Sequence, residues 1–348
     1  MNRNPLALGI VFAVGAVMAV GALVISLPAK TQGVDNLTNA FRPAFTPKSL
    51  SQTRQDMDTV KAMAAELDGK AIPALAAQLG TTPDQFRSTL ATGFPAVGTG
   101  MRQLPTILPY FDGVVGGLEA QAANFRLADA IPAKPFPATL VTYLFLLPGL
   151  AVAAVAALGL VRPAAFRTVA FGVAAAVGVV LIVAPLALSV PKKTQAVDSV
   201  TNAFRPVFSA DGARTTRAHM DTVQSMADEL TGKALPALAT QLKVTPDQLG
   251  TTLAANFPKV ATGIDQLPAI LPRFQALVSG VERNRANFEL ADSIPTASTP
   301  TTLLHWLFVI PAAVLVVTAG AGLLAGRGVR LRKPAVDTTV LGPAAASR

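Results

Sequence analysis

The chain has 348 residues, of which 51% are hydrophobic and 14% charged, with no cysteine, two histidines and a formal net charge of +9. The lack of cysteine excludes a disulfide framework and a thiol nucleophile. The basic excess lies in short segments beside apolar runs, which suits anionic lipid head groups and argues against nucleic acid as a partner.

The first element is a charge-free run, Pro5–Ala29, that predicts a membrane helix over 7–27. It exceeds both the ~20 residues needed to cross a bilayer and the ~15-residue limit of a signal-peptide core, so it reads as a retained anchor. A polar region over 28–138 follows, and it reads as helical throughout. Its expected helices are 31–42, 50–67, 71–79, 83–93 and 107–130, the last broken at Pro109. Met57, Val60, Met63, Ala64 and Leu67 recur at helical spacing, as do Phe111, Val115, Leu118, Ala122 and Phe125. "TPDQ" at 82–85 predicts a helix start, with Thr82 as cap, Pro83 in the first turn and Gln85 closing a capping box.

Further charge-free runs predict membrane helices at 139–161 and 168–190, joined by a short link carrying Arg162 and Arg167. A second polar region covers 191–302, a fourth membrane helix 303–325, and a basic tail 326–348. Gly9, Gly15, Gly21, Gly172, Gly178 and Gly320 offer places where the apolar helices could approach closely.

The hexapeptide "TNAFRP" stands at 38–43 and again at 201–206. It belongs to a gap-free match, at an offset of 163, in which about 60 of the 103 positions from Lys30 to Pro132 are identical to their counterparts. A period this long marks a duplicated domain, since solenoid units run ~20–50 residues. The expected fold is an all-α membrane protein: four transmembrane helices and two homologous helical extracytoplasmic domains, a tandem parallel repeat or pseudo-dimer.

Orientation follows from charge. Arg3, the 162–167 link and the tail hold most of the positive excess, whereas 28–138 has 10 bases against 9 acids and 191–302 has 11 against 10. Basic residues flank cytoplasmic ends, so both termini are expected in the cytoplasm of a plasma-membrane protein. Tyr143 and Trp306 sit at the outer ends of their spans as belt residues do. An alanine-rich, lysine-poor composition points to a high-GC bacterium.

Candidate sites are few. His219 and His305 face Asp56 and Thr142 at the matched positions, and no ligand spacing fits zinc. The acids shared by both copies, Asp35/Asp198, Asp58/Asp221, Glu66/Glu229, Asp84/Asp247, Glu119/Glu282 and Asp129/Asp292, read as solvated faces or ion pairs. There is no P-loop or dinucleotide fingerprint, and no catalytic, metal or cofactor site is expected. The residues singled out are structural: Arg42 with Asp129 and Arg205 with Asp292 as ion pairs, and Phe41 packed on Phe125 with Phe204 on Phe288, closing the neck of each domain. The first and last helices of each domain are expected to run side by side there.

The functional expectation is a non-enzymatic envelope protein whose outer domains bind a partner protein, a lipid or a wall component. The alternatives are a transporter or transporter subunit for an apolar or lipid-like substrate, and a sensor acting through a partner. The expected partners are the lipid bilayer, an unidentified membrane or envelope protein and a lipid ligand, with no cofactor.

Overall fold

A computed structural model describes residues 4–133, 136–161, 164–296, 299 and 301–330. Arg3, Lys134, Arg162 and the residues beyond 330 lie outside this set. The described chain is helical, and no strand occurs among the described residues. The helices separate into two compact units.

The apolar unit comprises the described residues 4–26, 142–161, 164–188 and 304–330. Its helices are α1 (Asn4–Val24), α7 (Thr139–Val161), α8 (Ala164–Ala187) and α14 (Leu304–Arg330). Within them Pro5–Val24, Thr139–Val161, Phe166–Ala187 and Leu304–Ala325 are each long and apolar enough to cross a membrane. Glycines at the crossings set their packing. A Cβ at Gly15 would fall 2.7 Å from the Ala153 nitrogen and the Gly149 oxygen, both main chain. A Cβ at Gly178 would fall 2.9 Å from the Ala312 oxygen. So α1 crosses α7, and α8 crosses α14, at distances that only glycine permits. Gly9, Gly21, Gly172 and Gly320 have nothing within 4 Å of a built Cβ and play no such part. Phe145 and Phe308 meet edge to face at 4.7 Å.

The other unit holds the described residues between 27 and 141 and between 189 and 303. Its first half is α2 (Leu27–Phe41), α3 (Pro47–Glu66), a π turn over Leu67–Ala71, α4 (Ile72–Gln78), α5 (Pro83–Gly93) and α6 (Pro95–Ala128). Its second half is α9 (Val190–Phe208), α10 (Ala210–Glu229), a π turn over Leu230–Ala234, α11 (Leu235–Gln241), α12 (Pro246–Asn256) and α13 (Pro258–Asp292). Elements from α3 to α5 thus recur 163 residues on with the same bounds. Thr82 and Thr245 each form the full capping box with the glutamine three residues later.

Two expectations change. The last helix of the first half begins at Pro95, not 107, and passes through Pro105 and Pro109 without a break. The first helix of each half packs mainly along the last helix of the other half: α2 lies along α13, and α9 along α6, although α9 also touches its own α13. Likewise α3 packs more extensively on α13 than on α6, and α10 more on α6 than on α13. The two halves therefore interlock, and their buried side chains merge into one core containing Met57, Ile107, Phe111, Met220, Ile270 and Phe274.

Candidate functional site

The interlock is built from polar contacts as well as apolar ones. Glu66, at the end of α3, is buried and accepts from the main-chain nitrogens of Lys259 (2.7 Å) and Val260 (3.0 Å) in the first turn of α13. Glu229 does the same for Ala96 (2.7 Å) and Val97 (3.0 Å) at the start of α6. Neither long helix has a side-chain cap of its own, since Phe94 and Phe257 occupy the cap positions. A carboxylate there satisfies two orphan N–H groups and meets the positive end of the helix dipole. The Lys193 ammonium donates to the Pro132 carbonyl at 2.6 Å, and that of Lys30 to Ser293 and Pro295 at 2.9 and 2.7 Å. Burial pushes both lysines below the ordinary ammonium range.

Asp35 accepts from the main-chain nitrogens of Ala138 and Thr139 (2.6 and 3.0 Å), and Asp198 from that of Thr301 (2.7 Å). These and Glu66/Glu229 are shared acids whose main-chain partners lie far away in sequence. Glu119 pairs with Arg54 at 2.5 Å, and the arginine's hydrogen bond holds that carboxyl below the usual range. Asp84 sits in the first turn of α5, beside Arg87 at 3.0 Å.

The structure brings Arg42 and Asp129 together at 2.6 Å and Arg205 and Asp292 at 2.7 Å. The Asp129 and Asp292 hydrogen bonds raise the two guanidinium groups above their ordinary value. The phenylalanines are arranged otherwise than expected. Phe45, not Phe41, stacks on Phe125, with ring centres 4.0 Å apart, and Phe208 stacks on Phe288 at 4.3 Å. Phe41 meets Phe208 edge-on at 5.7 Å, and Phe204 meets Phe45 at 6.4 Å. The cause is the interlock. With α2 laid along α13, Phe41 reaches Gly280 of that helix, and Phe204 reaches Gly117 of α6.

Two sets of matched positions carry different chemistry. Asp56, buried, receives two bonds from Arg273 (2.6 and 2.7 Å). Their counterparts are His219 and Tyr110, whose rings meet at 5.1 Å. Burial depresses the His219 pKa. Lys61 pairs with Asp112 at 3.1 Å, while the counterparts Gln224 and Gln275 share an amide hydrogen bond of 2.8 Å. In each set both members differ together, so each contact is kept in a new form.

An apolar cavity of about 280 Å³ lies in the core of this unit, walled by both halves. Met57, Met63, Leu67, Leu104, Ile107 and Phe111 contribute from one half, and Met220, Met226, Leu230, Leu267, Ile270 and Phe274, their counterparts, from the other. No charged side chain lines it, and its polar wall residues are Thr81, Thr89 and Gln241, all exposed. Met63 lies over Gly263 and Met226 over Gly100, where a Cβ would come 2.4 Å from the sulfur. The spacing of Met57, Val60, Met63 and Leu67 revealed an apolar face, but not that it would meet its own counterpart across a cavity.

Among the described residues no group of three His, Cys, Asp or Glu side chains could hold a metal. His305 lies against Trp306 at 4.7 Å. Compared with known protein families, curated proteins and solved structures, the chain matches none.

Proposed function

We propose that the chain is a non-enzymatic, multi-pass protein of the plasma membrane whose duplicated outer segments form one binding domain for a lipid-like ligand. The gap-free match at an offset of 163 supports descent by duplication, and with it a covalent pseudo-dimer. The charge distribution supports cytoplasmic termini and both polar regions outside. The observation that carries the ligand reading is the apolar cavity between the two halves. Its volume lies near the lower end of ligand pockets, ~300–1,000 Å³, and its wall offers dispersion contact without hydrogen-bonding groups deep inside.

Photo-crosslinking in native membranes tests this reading. A photoreactive side chain at Leu75, a half-buried wall residue, should acquire lipid adducts identifiable by mass. Adducts made only with other proteins would replace the lipid reading with one of partner binding. Topology is tested separately by cysteines at Ser51 and Ser209, which should react with an impermeant thiol reagent on intact cells, while one at Ala164 should not.

A further inference from the structure

The wall of the cavity also specifies the form of its occupant. We infer that it takes a single flexible hydrocarbon chain, tail first, with the polar head left in water. This rests on the lipid-binding reading above and narrows it.

Three observations converge. The first is size: a cavity of about 280 Å³, near the lower end of the ~300–1,000 Å³ of ligand pockets, has room for one slender chain and not for a bulky or multi-chain lipid. The second is the distribution of polarity. The wall reaches solvent at Thr81 and Thr89 in one half and at Ala237 and Gln241 in the other. A head group drawn inside would find no charged partner and would be desolvated without compensation, so it stays at one of these edges. The third is the kind of apolar side chain. Five of the chain's seven methionines, Met57, Met63, Met101, Met220 and Met226, line the cavity. Thioether side chains are unbranched and polarizable, and they remould around a ligand that itself has many conformers. Gly100 and Gly263 hold two of these side chains in slots that a larger residue would fill.

The test is displacement of a fluorescent polyene fatty acid from the full-length protein, held in a detergent with a sterol tail so that no competing alkyl chain is present. Competitors are straight-chain carboxylates, alcohols and trimethylammonium salts. Affinity should rise about fourfold per added methylene and level off once the chain fills the cavity, short of about eighteen carbons. At fixed chain length, changing the head group should alter affinity less than about threefold. Ala237→Trp and Thr89→Trp, both at exposed edges where the ring has room outside the core, should each weaken binding about tenfold or more. A tenfold head-group preference would place a polar contact inside the site and overturn the inference while leaving lipid binding standing. So would affinity that keeps climbing to about eighteen carbons, or a rigid polycyclic hydrocarbon that outcompetes every chain. Failure of the probe and of every competitor to bind would overturn both the inference and the reading beneath it.

Discussion

Replacing Glu66 by alanine removes the only side-chain cap of α13, and that cap is supplied by the other half of the sequence. The carboxylate is buried, at 7% exposure, and receives the Lys259 and Val260 nitrogens at 2.7 and 3.0 Å. Hydrogen bonds to a charged group contribute about 1.5–3 kcal/mol, and a stranded buried donor costs about 1–3 kcal/mol. The dipole contribution adds at most ~1–2 kcal/mol in a partly buried setting. These overlap, so Glu66→Ala should cost about 2–4 kcal/mol and lower the unfolding midpoint by about 5–12 °C for a unit of this size. Glu66→Gln keeps one acceptor oxygen and should lose about half as much. Glu229→Ala should match Glu66→Ala because its contacts to Ala96 and Val97 are the same. The assay is thermal unfolding of the purified full-length protein followed by circular dichroism, with Asp84→Ala as control, since that carboxylate is 94% exposed. If Glu66→Ala is no more harmful than Asp84→Ala, the exchange of caps between the halves is wrong.

Other outcomes follow from the same contacts. Gly15→Leu and Gly178→Leu should block folding or assembly of the apolar unit, because each side chain would enter the main chain of the crossing helix; Gly9→Leu and Gly172→Leu should yield normal amounts of protein in the membrane. Lys61→Gln should destabilise by about 0.5–1 kcal/mol and Asp112→Gln by somewhat more, since it also loses Arg54 at 2.7 Å, and the double variant should lose less than the sum of the two by forming the amide pair already present at Gln224 and Gln275. His219 has a depressed pKa in the fold. The unfolded chain therefore binds its proton first, and stability present above the unfolded value of ~6.5 is lost as pH falls through the interval down to the folded value. His219→Phe should remove that loss as pH falls below ~7, measured by denaturant titration at each pH.

What was legible in the sequence was what lies within a few residues. The capping boxes at Thr82 and Thr245 needed only a threonine, a proline and a glutamine in order, and both form as the spacing implies. Apolar length alone marked the four candidate spans. The apolar face of α2 was legible from Val34, Leu37 and Phe41, all buried. Its partner was not, because periodicity tells which side is covered and never by what. That gap explains the exchange of α2 and α9 between long helices, and the stacking of Phe45 on Phe125. Glu66 and Glu229 were unreadable as caps for the same reason: a capping search looks three residues away, whereas these reach helices 193 and 133 positions distant. The start of α6 was hidden by a run of glycines and prolines that ordinarily argues against a helix; here Pro95 occupies the first turn, where its missing N–H costs nothing. The cavity had one visible signal, methionines at matched positions 57/220 and 63/226.

The most direct test of the central claim is native mass spectrometry of the full-length protein released from its own membrane. The account predicts one bound molecule of lipid mass per chain, retained in Glu66→Gln and lost in Ala237→Trp. A bare polypeptide mass, or an adduct indifferent to Ala237→Trp, would contradict it.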